Sequence, residues 1–432
     1  MKIHRIKVLT GAGPNGATYL VGRMFVMTLP VDEFVSHLQC LDACHDDMVA
    51  FVQRLCNQNS GTYHLDGLQL VKEMLVSEYA RLGADLQVRS IEPQACVDDS
   101  GQLITRPLGP LLHLVKRPEV RPRVLLCIHM DTVYAAESDF QTCVWEEQNR
   151  LNGPGVADAK GGLVVMLYAL QAFESSPWAD QLGWEVIINP DEEIGSVGSA
   201  SFLAERAGQA DVGLLFEPLL PDGNLVSTRK GTGNFEFVFR GRSAHSGRDF
   251  EAGRNAAVAC CKMMSDIWHL NERAGATFNV GRITGGGALN MVPDLAIGRI
   301  NVRAVSNEEQ REAERLLSEL VEHYNSDKGP LEGIEVEQYG QFTSPPKVMT
   351  PKIRELQERV ETCGRWLDIE IGWQPTGGAC DGNKFAAAGL ANIDTLGPRG
   401  GLIHSAKEYL LTDSLVPRAK LAASLLMNLA LQ

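Results

Sequence analysis

The alternation of strands and helices in the first half of the chain is the feature that most constrains its fold. The apolar runs RVLLCIHM (123–130), WEVIINP (184–190) and VGLLFEP (212–218) have the length and composition of buried strands. Two helical patterns separate them, GGLVVMLYALQAFESS (161–176) and SASFLAERA (199–207). This order predicts an α/β sheet, and the functional residues of such sheets lie where the strands end.

A different pattern begins near Asn224. Strand, helix, strand, strand, helix and strand follow one another from NFEFVFRG (234–241) to IEVEQYG (334–340), which is the βαββαβ order of a ferredoxin-like domain. After Ser344 the chain returns to mixed α/β patterns. We therefore expect an α/β protein whose main sheet domain is interrupted by an inserted ferredoxin-like domain. The expected bounds are 1–227 and 343–432 for the α/β domain, 228–342 for the insert, and 1–27 for an extra N-terminal segment.

Composition argues against several classes of partner. The formal net charge of −14 disfavours nucleic acid and anionic membrane surfaces. There is no run of 18 apolar residues that would predict a transmembrane helix, and the ten cysteines form no CxxC pair, which is typical of reduced thiols. We expect a cytoplasmic protein that binds neither nucleic acid nor membrane.

One glycine-rich segment imitates a dinucleotide site. The residues GAGPNG (11–16) fit the pattern G-x-G-x-x-G, but Pro14 stands where the helix of such a site should begin. No parallel second strand follows, so the segment does not predict a dinucleotide cofactor.

Acidic and imidazole side chains recur at the ends of the predicted elements of the α/β domain. Carboxylates gathered at one edge of a sheet repel one another strongly unless cations hold them, so this pattern indicates a metal site. The side chains concerned are His129 and Asp131 in HMD, Asp158 in ADAKGG, Glu192 and Glu193 in DEEIGS, Glu217 in FEP, and His404 in GGLIHSAKEY.

Two imidazoles and three carboxylates suit zinc, which accepts mixed nitrogen and oxygen ligands and keeps an open position in catalytic sites. We expect two Zn²⁺ ions per subunit, with Co²⁺ or Mn²⁺ as alternatives. His129 and Glu217 would bind one ion, His404 and Glu193 would bind the other, and Asp158 would bridge them. Two Zn²⁺, three carboxylates and a hydroxide then sum to zero charge.

Two further acidic residues have predicted roles beside the ligands. Asp131 would accept the second ring N–H of His129 and so fix its tautomer. Glu192 and Glu193 are adjacent, so only one of them can readily face a given metal ion. The free one, which we assign as Glu192, could accept a proton from water and deliver it to a leaving amine.

Six ordered motifs, HMDTV, ADAKGG, DEEIGS, FEP, SAHSG and GLIHSAKEY, resemble those of the zinc metallopeptidase family of aminoacylases, acetylornithine deacetylases, carnosinases and carboxypeptidase G. The resemblance runs from about Asp32 to the C-terminus. It is closest to the carboxypeptidase G branch, because PTGGACDGNKFAAAGL and LGPRGGLIHSAKEYL are similar to the C-terminal end of that branch.

The resemblance implies the same ligands and base, and a cis peptide between Asp158 and Ala159. It makes the α/β part the catalytic domain and the insert a lid and dimerisation domain, so we expect a homodimer. His245, reaching in from the partner subunit, would stabilise the oxyanion, and a bound substrate carboxylate would be held by Asn290 and Arg303. Gly377 and Gly378 would let the main chain approach the substrate closely.

These features predict hydrolysis of an amide bond in a small peptide or N-acyl amino acid that carries a free carboxylate. We favour a carboxypeptidase that releases a C-terminal residue such as glutamate. An N-acyl-amino-acid deacylase or deacetylase is the alternative, because it needs the same carboxylate pocket. A non-catalytic metal- or peptide-binding protein is a remote third reading, since it would have no need of Glu192.

Overall fold

The computed structural model describes residues 30–272, 274–326 and 332–431, so the predicted N-terminal segment 1–27 lies outside the described residues. The helices are α1 (Val31–Leu38), α2 (His45–Cys56), α3 (Leu65–Tyr79), α4 (Gly161–Glu174), α5 (Ala200–Ala207), α6 (Ala256–His269), α7 (Asn307–Asn325), α8 (Pro351–Trp366), α9 (Asp381–Ala387) and α10 (Leu415–Ala430). The strands of the α/β part before the insert are β1 (Asp85–Arg89), β2 (Gln94–Val97), β3 (Leu103–Arg106), β4 (Leu111–Lys116), β5 (Arg123–His129), β6 (Val144–Glu147), β7 (Arg150–Asn152), β8 (Gly183–Asn189), β9 (Val212–Leu215) and β10 (Leu225–Arg229). The remaining strands are β11 (Gly231–Arg240), β12 (Ala244–His245), β13 (Thr277–Gly285), β14 (Met291–Val292), β15 (Leu295–Ala304), β16 (Glu335–Ser344), β17 (Trp373–Thr376), β18 (Asn392–Ile393), β19 (Gly400–Gly401) and β20 (Tyr409–Leu411).

The central sheet of the α/β domain has six strands in the order β1-β4-β8-β5-β9-β18. Strands β8, β5, β9 and β18 run parallel, whereas β4 and β1 add to one edge in antiparallel fashion. Every residue of β5 and β8 is buried. Burial on both faces explains why these strands read as continuous apolar runs instead of alternating ones.

Successive residues of β5 reach different layers of helices. Leu126 and Ile128 belong to the larger core, which includes residues of α4 and α10, whereas Leu125 and Cys127 belong to a smaller core with residues of α5 and α9. The sheet is therefore covered by helices on both faces, as the alternation of strands and helices predicts. Its functional residues can emerge only at the ends of the strands.

One helical segment among the described residues, 156–174, is long and apolar enough to cross a membrane. In this fold 89% of it is buried against other parts of the chain. It comprises α4 and the turn before it, and it forms the centre of the larger core.

The inserted domain has a four-stranded antiparallel sheet in the order β13-β15-β11-β16. Helices α6 and α7 share one apolar core with this sheet, which confirms the predicted βαββαβ order. Val97 of the β2–β3 hairpin contributes to a separate apolar cluster with Val238 and Ile297 of the insert. The bounds at residues 227/228 and 342/343 stay predictions, although the first strand of this domain begins at Gly231 and the last one ends at Ser344.

The two chain segments that enter and leave the insert are joined at one point. The main chains of Arg229 and Lys347 exchange two hydrogen bonds of 3.1 Å each. Their side chains both bind Asp394, Arg229 through two N–H groups and Lys347 at 2.7 Å. All three side chains are buried, so one carboxylate of the α/β domain holds both connections.

Candidate metal centre

The predicted ligands come together at the carboxyl ends of the parallel strands. His129 is the last residue of β5, Glu217 lies just after β9, and Glu193 lies in a short turn after β8. Two loops bring the other ligands to the same edge: Asp158 precedes α4, and His404 lies between β19 and β20. Neighbouring parallel strands end at the same edge of a sheet, so residues far apart in sequence meet there.

The distances give two groups of side chains that share Asp158. His129 Nε2 lies 3.1 Å from Asp158 Oδ1 and 3.8 Å from Glu217 Oε2. His404 Nε2 lies 3.3 Å from Asp158 Oδ2 and 3.2 Å from Glu193 Oε2. Each oxygen of Asp158 therefore faces a different histidine, which is the arrangement that the sequence predicts for two cations with a bridging carboxylate.

The donor atoms fit a divalent cation. His129, Asp158 and Glu193 each offer one ligand atom, and these three atoms lie within 4.8 Å of one another. Oε1 of Glu193 is buried and accepts no hydrogen bond from any described residue. An unsatisfied buried carboxylate oxygen beside imidazole nitrogens is costly unless a cation pairs with it.

The electrostatics of the cluster favour positive charge. Burial would lower the pKa of His129, but the surrounding carboxylates outweigh burial and raise the pKa well above its usual value. Hydrogen bonds to Asp158 and Glu193 raise the pKa of His404 to about 11. Burial and the charge of Asp158 raise the pKa of Glu193 to about 7. The raised pKa values of the two histidines and of Glu193 reflect an excess of negative charge that is largely removed from solvent, which is the condition for binding cations.

Asp131 supports the cluster in two ways. The Nδ1 atom of His129 lies 3.0 Å from the main-chain oxygen of Asp131 and 3.3 Å from its Oδ1, so the closer acceptor is the carbonyl and not the predicted carboxylate. The carboxylate instead accepts hydrogen bonds from the hydroxyl of Thr62 and from the main-chain N–H groups of Glu192 and Glu193. Asp131 therefore fixes both the imidazole and the turn that carries the two glutamates.

Among the described residues Glu193 contacts His404, whereas Glu192 forms no ion pair with either histidine of the cluster, and its role as the base stays a prediction. Glu192 is half-buried and lines the cavity beside the cluster, and no described side chain hydrogen-bonds to it. Burial raises the pKa of Glu192 well above its usual value, although the charge of His129 partly offsets this effect. A carboxyl group of raised pKa on a cavity wall suits proton transfer. The expected cis peptide between Asp158 and Ala159 is also present.

The cavity beside the cluster has a volume of about 440 Å³ and collects residues of both domains. Glu192, Glu193, Glu217, Asp158 and His404 line one part of it, and Arg303 and Gly378 line another. The guanidinium of Arg303 donates to Asn301 Oδ1 at 2.9 Å and to the Gly377 carbonyl at 3.4 Å. No carboxylate among the described residues pairs with it.

The two predicted glycines face open space. A Cβ atom at Gly377 would meet no atom within 4 Å, and one at Gly378 would meet only Arg229 Nη1 at 3.9 Å. Packing within the chain therefore does not require glycine at either position, and the predicted close approach of substrate stays a prediction.

His245 and Asn290 do not line this cavity. His245 ends β12 of the small β12–β14 sheet of the insert, and Asn290 lies just before β14, where its carbonyl accepts a hydrogen bond from the main-chain N–H of Ser246. His245 is half-buried and Asn290 is exposed. One chain alone does not bring these residues to the metal cluster, so their roles stay predictions.

Two buried charged residues near the site were missed by sequence reasoning. Arg229 lines the cavity and lies in the segment STRKG, which carries no recognisable motif. Glu408 lies behind the loop of Asp158 and is fully buried. It follows His404 by four residues in GLIHSAKEY, and a carboxylate so close to a predicted ligand was the signal that could have identified it.

The comparisons with known proteins agree with this geometry. Carboxypeptidase G2 of Pseudomonas sp. (strain RS-16) is 28% identical over 396 residues, which cover 88% of this chain and 89% of that protein. Succinyl-diaminopimelate desuccinylase of Pseudoalteromonas translucida is 25% identical over 297 residues, covering 66% of this chain and 76% of that protein. The M20 family metallo-carboxypeptidase Sso-CP2 from Sulfolobus solfataricus has the same fold, with a TM-score of 0.67 at 15% identity over 90% of this chain and 100% of that one.

The model of peptidase family M20/M25/M40 matches residues 125–428, which is more than half of the chain and includes every predicted metal ligand. The whole insert and the parallel strands β8, β9 and β18 fall within the matched range, whereas the edge strands β1 and β4 precede it. The chain therefore belongs to peptidase family M20/M25/M40 and is a metal-dependent hydrolase of amide bonds.

Proposed function

We propose that the protein is a glutamate carboxypeptidase-like exopeptidase, which releases the C-terminal residue of a small peptide or N-acyl amino acid. The observation that carries this proposal is Arg303. Its guanidinium lines the cavity of the metal cluster without a carboxylate partner among the described residues. A planar carboxylate is the ligand that a guanidinium binds best, so the free C-terminus of a substrate supplies the missing partner.

The metal centre that we propose holds two Zn²⁺ ions, with Co²⁺ or Mn²⁺ as substitutes. Two nitrogen and three carboxylate donors suit zinc, and the two oxygens of Asp158 face different histidines. Bound zinc supplies Lewis acidity and makes a nearby water more acidic.

The residues of the chain have separate tasks in the proposed reaction. Glu192 accepts the proton of the attacking water and delivers it to the departing amine. Arg303 orients the substrate by its carboxylate, and Asp131 keeps the turn of Glu192 in place through two main-chain hydrogen bonds. The cavity wall at Gly378 leaves room for the substrate beside Arg303.

We also propose a homodimer formed through the inserted domain, in which His245 and Asn290 serve the partner's cavity. Their position outside the cavity of their own chain supports this arrangement. The test mixes two inactive variants, His245→Ala and Glu192→Gln, under conditions that exchange subunits. Restored activity supports the role across the interface, because only a mixed dimer combines both intact residues at one site. No restoration in a proven mixed dimer contradicts it.

A deacylase that removes an acyl group from an amino acid is the second candidate. The similarity to succinyl-diaminopimelate desuccinylase favours it, and Arg303 would serve a carboxylate there equally well. The similarity to carboxypeptidase G2 covers more of the chain, so we place the carboxypeptidase first.

A panel of dipeptides and N-acyl amino acids separates the two candidates. Zinc-loaded protein is incubated with each compound, release of free amino acid is measured, and Glu192→Gln serves as the blank. Selective release of glutamate or another C-terminal residue from peptides supports the carboxypeptidase. Release only from acetyl, formyl or succinyl compounds supports the deacylase, and no release from any compound contradicts both.

A further inference from the structure

Glu408 occupies an unusual position behind the metal cluster. Its carboxylate is fully buried, and Oε1 accepts hydrogen bonds from the main-chain N–H groups of Ala157 at 2.9 Å and Asp158 at 3.0 Å. Oε2 accepts from the main-chain N–H of Gly155 at 3.1 Å and from the hydroxyl of Tyr134 at 2.6 Å. Four donors on one buried carboxylate hold the whole turn that leads to Asp158.

The same residue is tied to the loop that carries His404. The hydroxyl of Tyr134 lies 2.9 Å from the Ser405 carbonyl and 2.6 Å from Glu408 Oε2. The side-chain amide of Asn152 donates to the main-chain carbonyls of Ala406 and Glu408. The segment 404–408 is therefore attached to the turn of Asp158 by a continuous set of buried and half-buried hydrogen bonds.

These contacts bear on the metal centre because they join two ligands that come from different loops. Asp158 and His404 must face each other for their ligand atoms to approach within 3.3 Å. Neither lies on a strand of the central sheet, so the sheet alone does not fix their separation. Groups behind the ligands commonly set ligand orientation and metal affinity.

We propose that Glu408 is a positioning residue of the metal centre, which holds the main chain of Asp158 and the loop of His404 in the geometry that binds two cations. A carboxylate is needed because all four groups around it are donors. An amide at this position would turn an N–H group towards one pair of donors and lose their hydrogen bonds. The inference rests on the proposed two-ion site.

The test compares Glu408→Gln with Glu185→Gln. Glu185 is the matched control, because it is also a buried glutamate, yet its partners are His113 and Arg206 and it contacts neither loop. For each purified protein we would measure zinc affinity by competition with a chelator, thermal unfolding without metal, and kcat and KM. Wild-type protein in the same assay reports whether two ions bind at all.

We expect Glu408→Gln to bind zinc at least about tenfold more weakly than wild type, within the range known for groups behind metal ligands. Its kcat should fall while its KM stays near wild type, because the substrate contacts are intact. Glu185→Gln should lose stability but keep its zinc affinity. Tyr134→Phe, which removes one donor and keeps the carboxylate, should shift affinity in the same direction by a smaller factor and serves as the test if Glu408→Gln does not fold.

Wild-type zinc affinity in the folded Glu408→Gln protein would overturn the inference, as would an equal loss in the Glu185→Gln control. If Glu408→Gln does not fold, unchanged affinity in Tyr134→Phe overturns it. Wild-type protein that binds fewer than two ions would contradict the proposed metal centre itself, so the two failures can be told apart.

Discussion

The two walls of the cavity are built in different ways. The wall of the catalytic domain carries His129 and Glu217, which lie at or beside strand ends of a sheet covered on both faces, and Asp158, which lies in the turn before α4. The side chain of His129 is 0% exposed, and those of Asp158 and Glu217 are each 10% exposed. The wall of the insert carries Arg303, which is half-buried and hydrogen-bonds only to an amide oxygen and a carbonyl among the described residues. The difference indicates that the chemistry is placed by a rigid sheet, whereas substrate recognition depends on how the insert is held.

Two sets of contacts attach the insert to the α/β domain, and one of them is more buried than the other. The connections at Arg229 and Lys347 converge on the buried carboxylate of Asp394. The β2–β3 hairpin contacts the insert through Val97 and through the exposed Asp99. Charge pairs contribute more in buried surroundings than at the surface, so the connections should control the position of the insert more than the hairpin does.

The largest effect is expected in the catalytic domain, at Glu192. Glu192→Gln should lower kcat by at least about a hundredfold, because the amide cannot accept the proton of the attacking water. Zinc content should be unchanged, since Glu192 is not among the proposed ligands. Steady-state kinetics and metal analysis on the same preparation check both parts. Near wild-type kcat would remove Glu192 from the reaction.

A smaller effect is expected on the wall of the insert. Arg303→Ala should lower kcat/KM about tenfold to a hundredfold, mainly through KM, because a charge-assisted hydrogen bond contributes about 1.5–3 kcal/mol. Arg311→Ala is the control, since Arg311 is exposed on α7 and pairs with Glu308. Equal kinetics of the two variants would contradict the role of Arg303 in binding the carboxylate.

The buried contacts of Asp394 with Arg229 and Lys347 should make stability depend on pH in acid. Burial alone would raise the pKa of Asp394, but the charges of Arg229 and Lys347 outweigh it and lower the pKa to about 2. A depressed pKa stabilises the fold above the unfolded value of about 3.9, and this contribution is lost as pH falls towards 2. Unfolding free energy measured against pH should therefore differ between wild type and Asp394→Asn by a constant amount above about pH 5. Below it the difference should shrink by about 2 kcal/mol. A difference that does not change with pH would contradict the low pKa.

The smallest effect is expected at the hairpin. Asp99 lies 2.7 Å from Arg282 and 3.1 Å from Arg299 of the insert, but its side chain is 55% exposed. Asp99→Asn should raise KM about two- to fivefold with kcat unchanged, since exposed ion pairs contribute about 1 kcal/mol or less. High salt should abolish the difference, because it screens the pairs in wild type. A fall in kcat at constant KM would show that the hairpin acts on the chemistry instead.

The sequence predicts the wall of the catalytic domain better than the wall of the insert. His129, Glu193 and Glu217 follow apolar strands, so the rule that parallel strands end at one edge was enough to bring them together. The main-chain carbonyl of Asp131 could not be predicted as the closer acceptor, because it depends on the turn after β5. The contact of Val97 with Val238 and Ile297 joins distant parts of the chain and leaves no local pattern. The same holds for the antiparallel pairing of β1 and β4 at one edge of the central sheet, although both segments read as short strands.

The most direct test of the two-ion centre is the number of zinc ions bound per chain, measured after equilibrium dialysis for wild type, Glu193→Ala and Glu217→Ala. Asp158 has one oxygen towards each histidine, so the account predicts two ions in wild type and one in each variant, with the remaining ion on the opposite side of Asp158. A single ion in wild type, or loss of both ions in either variant, would contradict two cations that share one carboxylate.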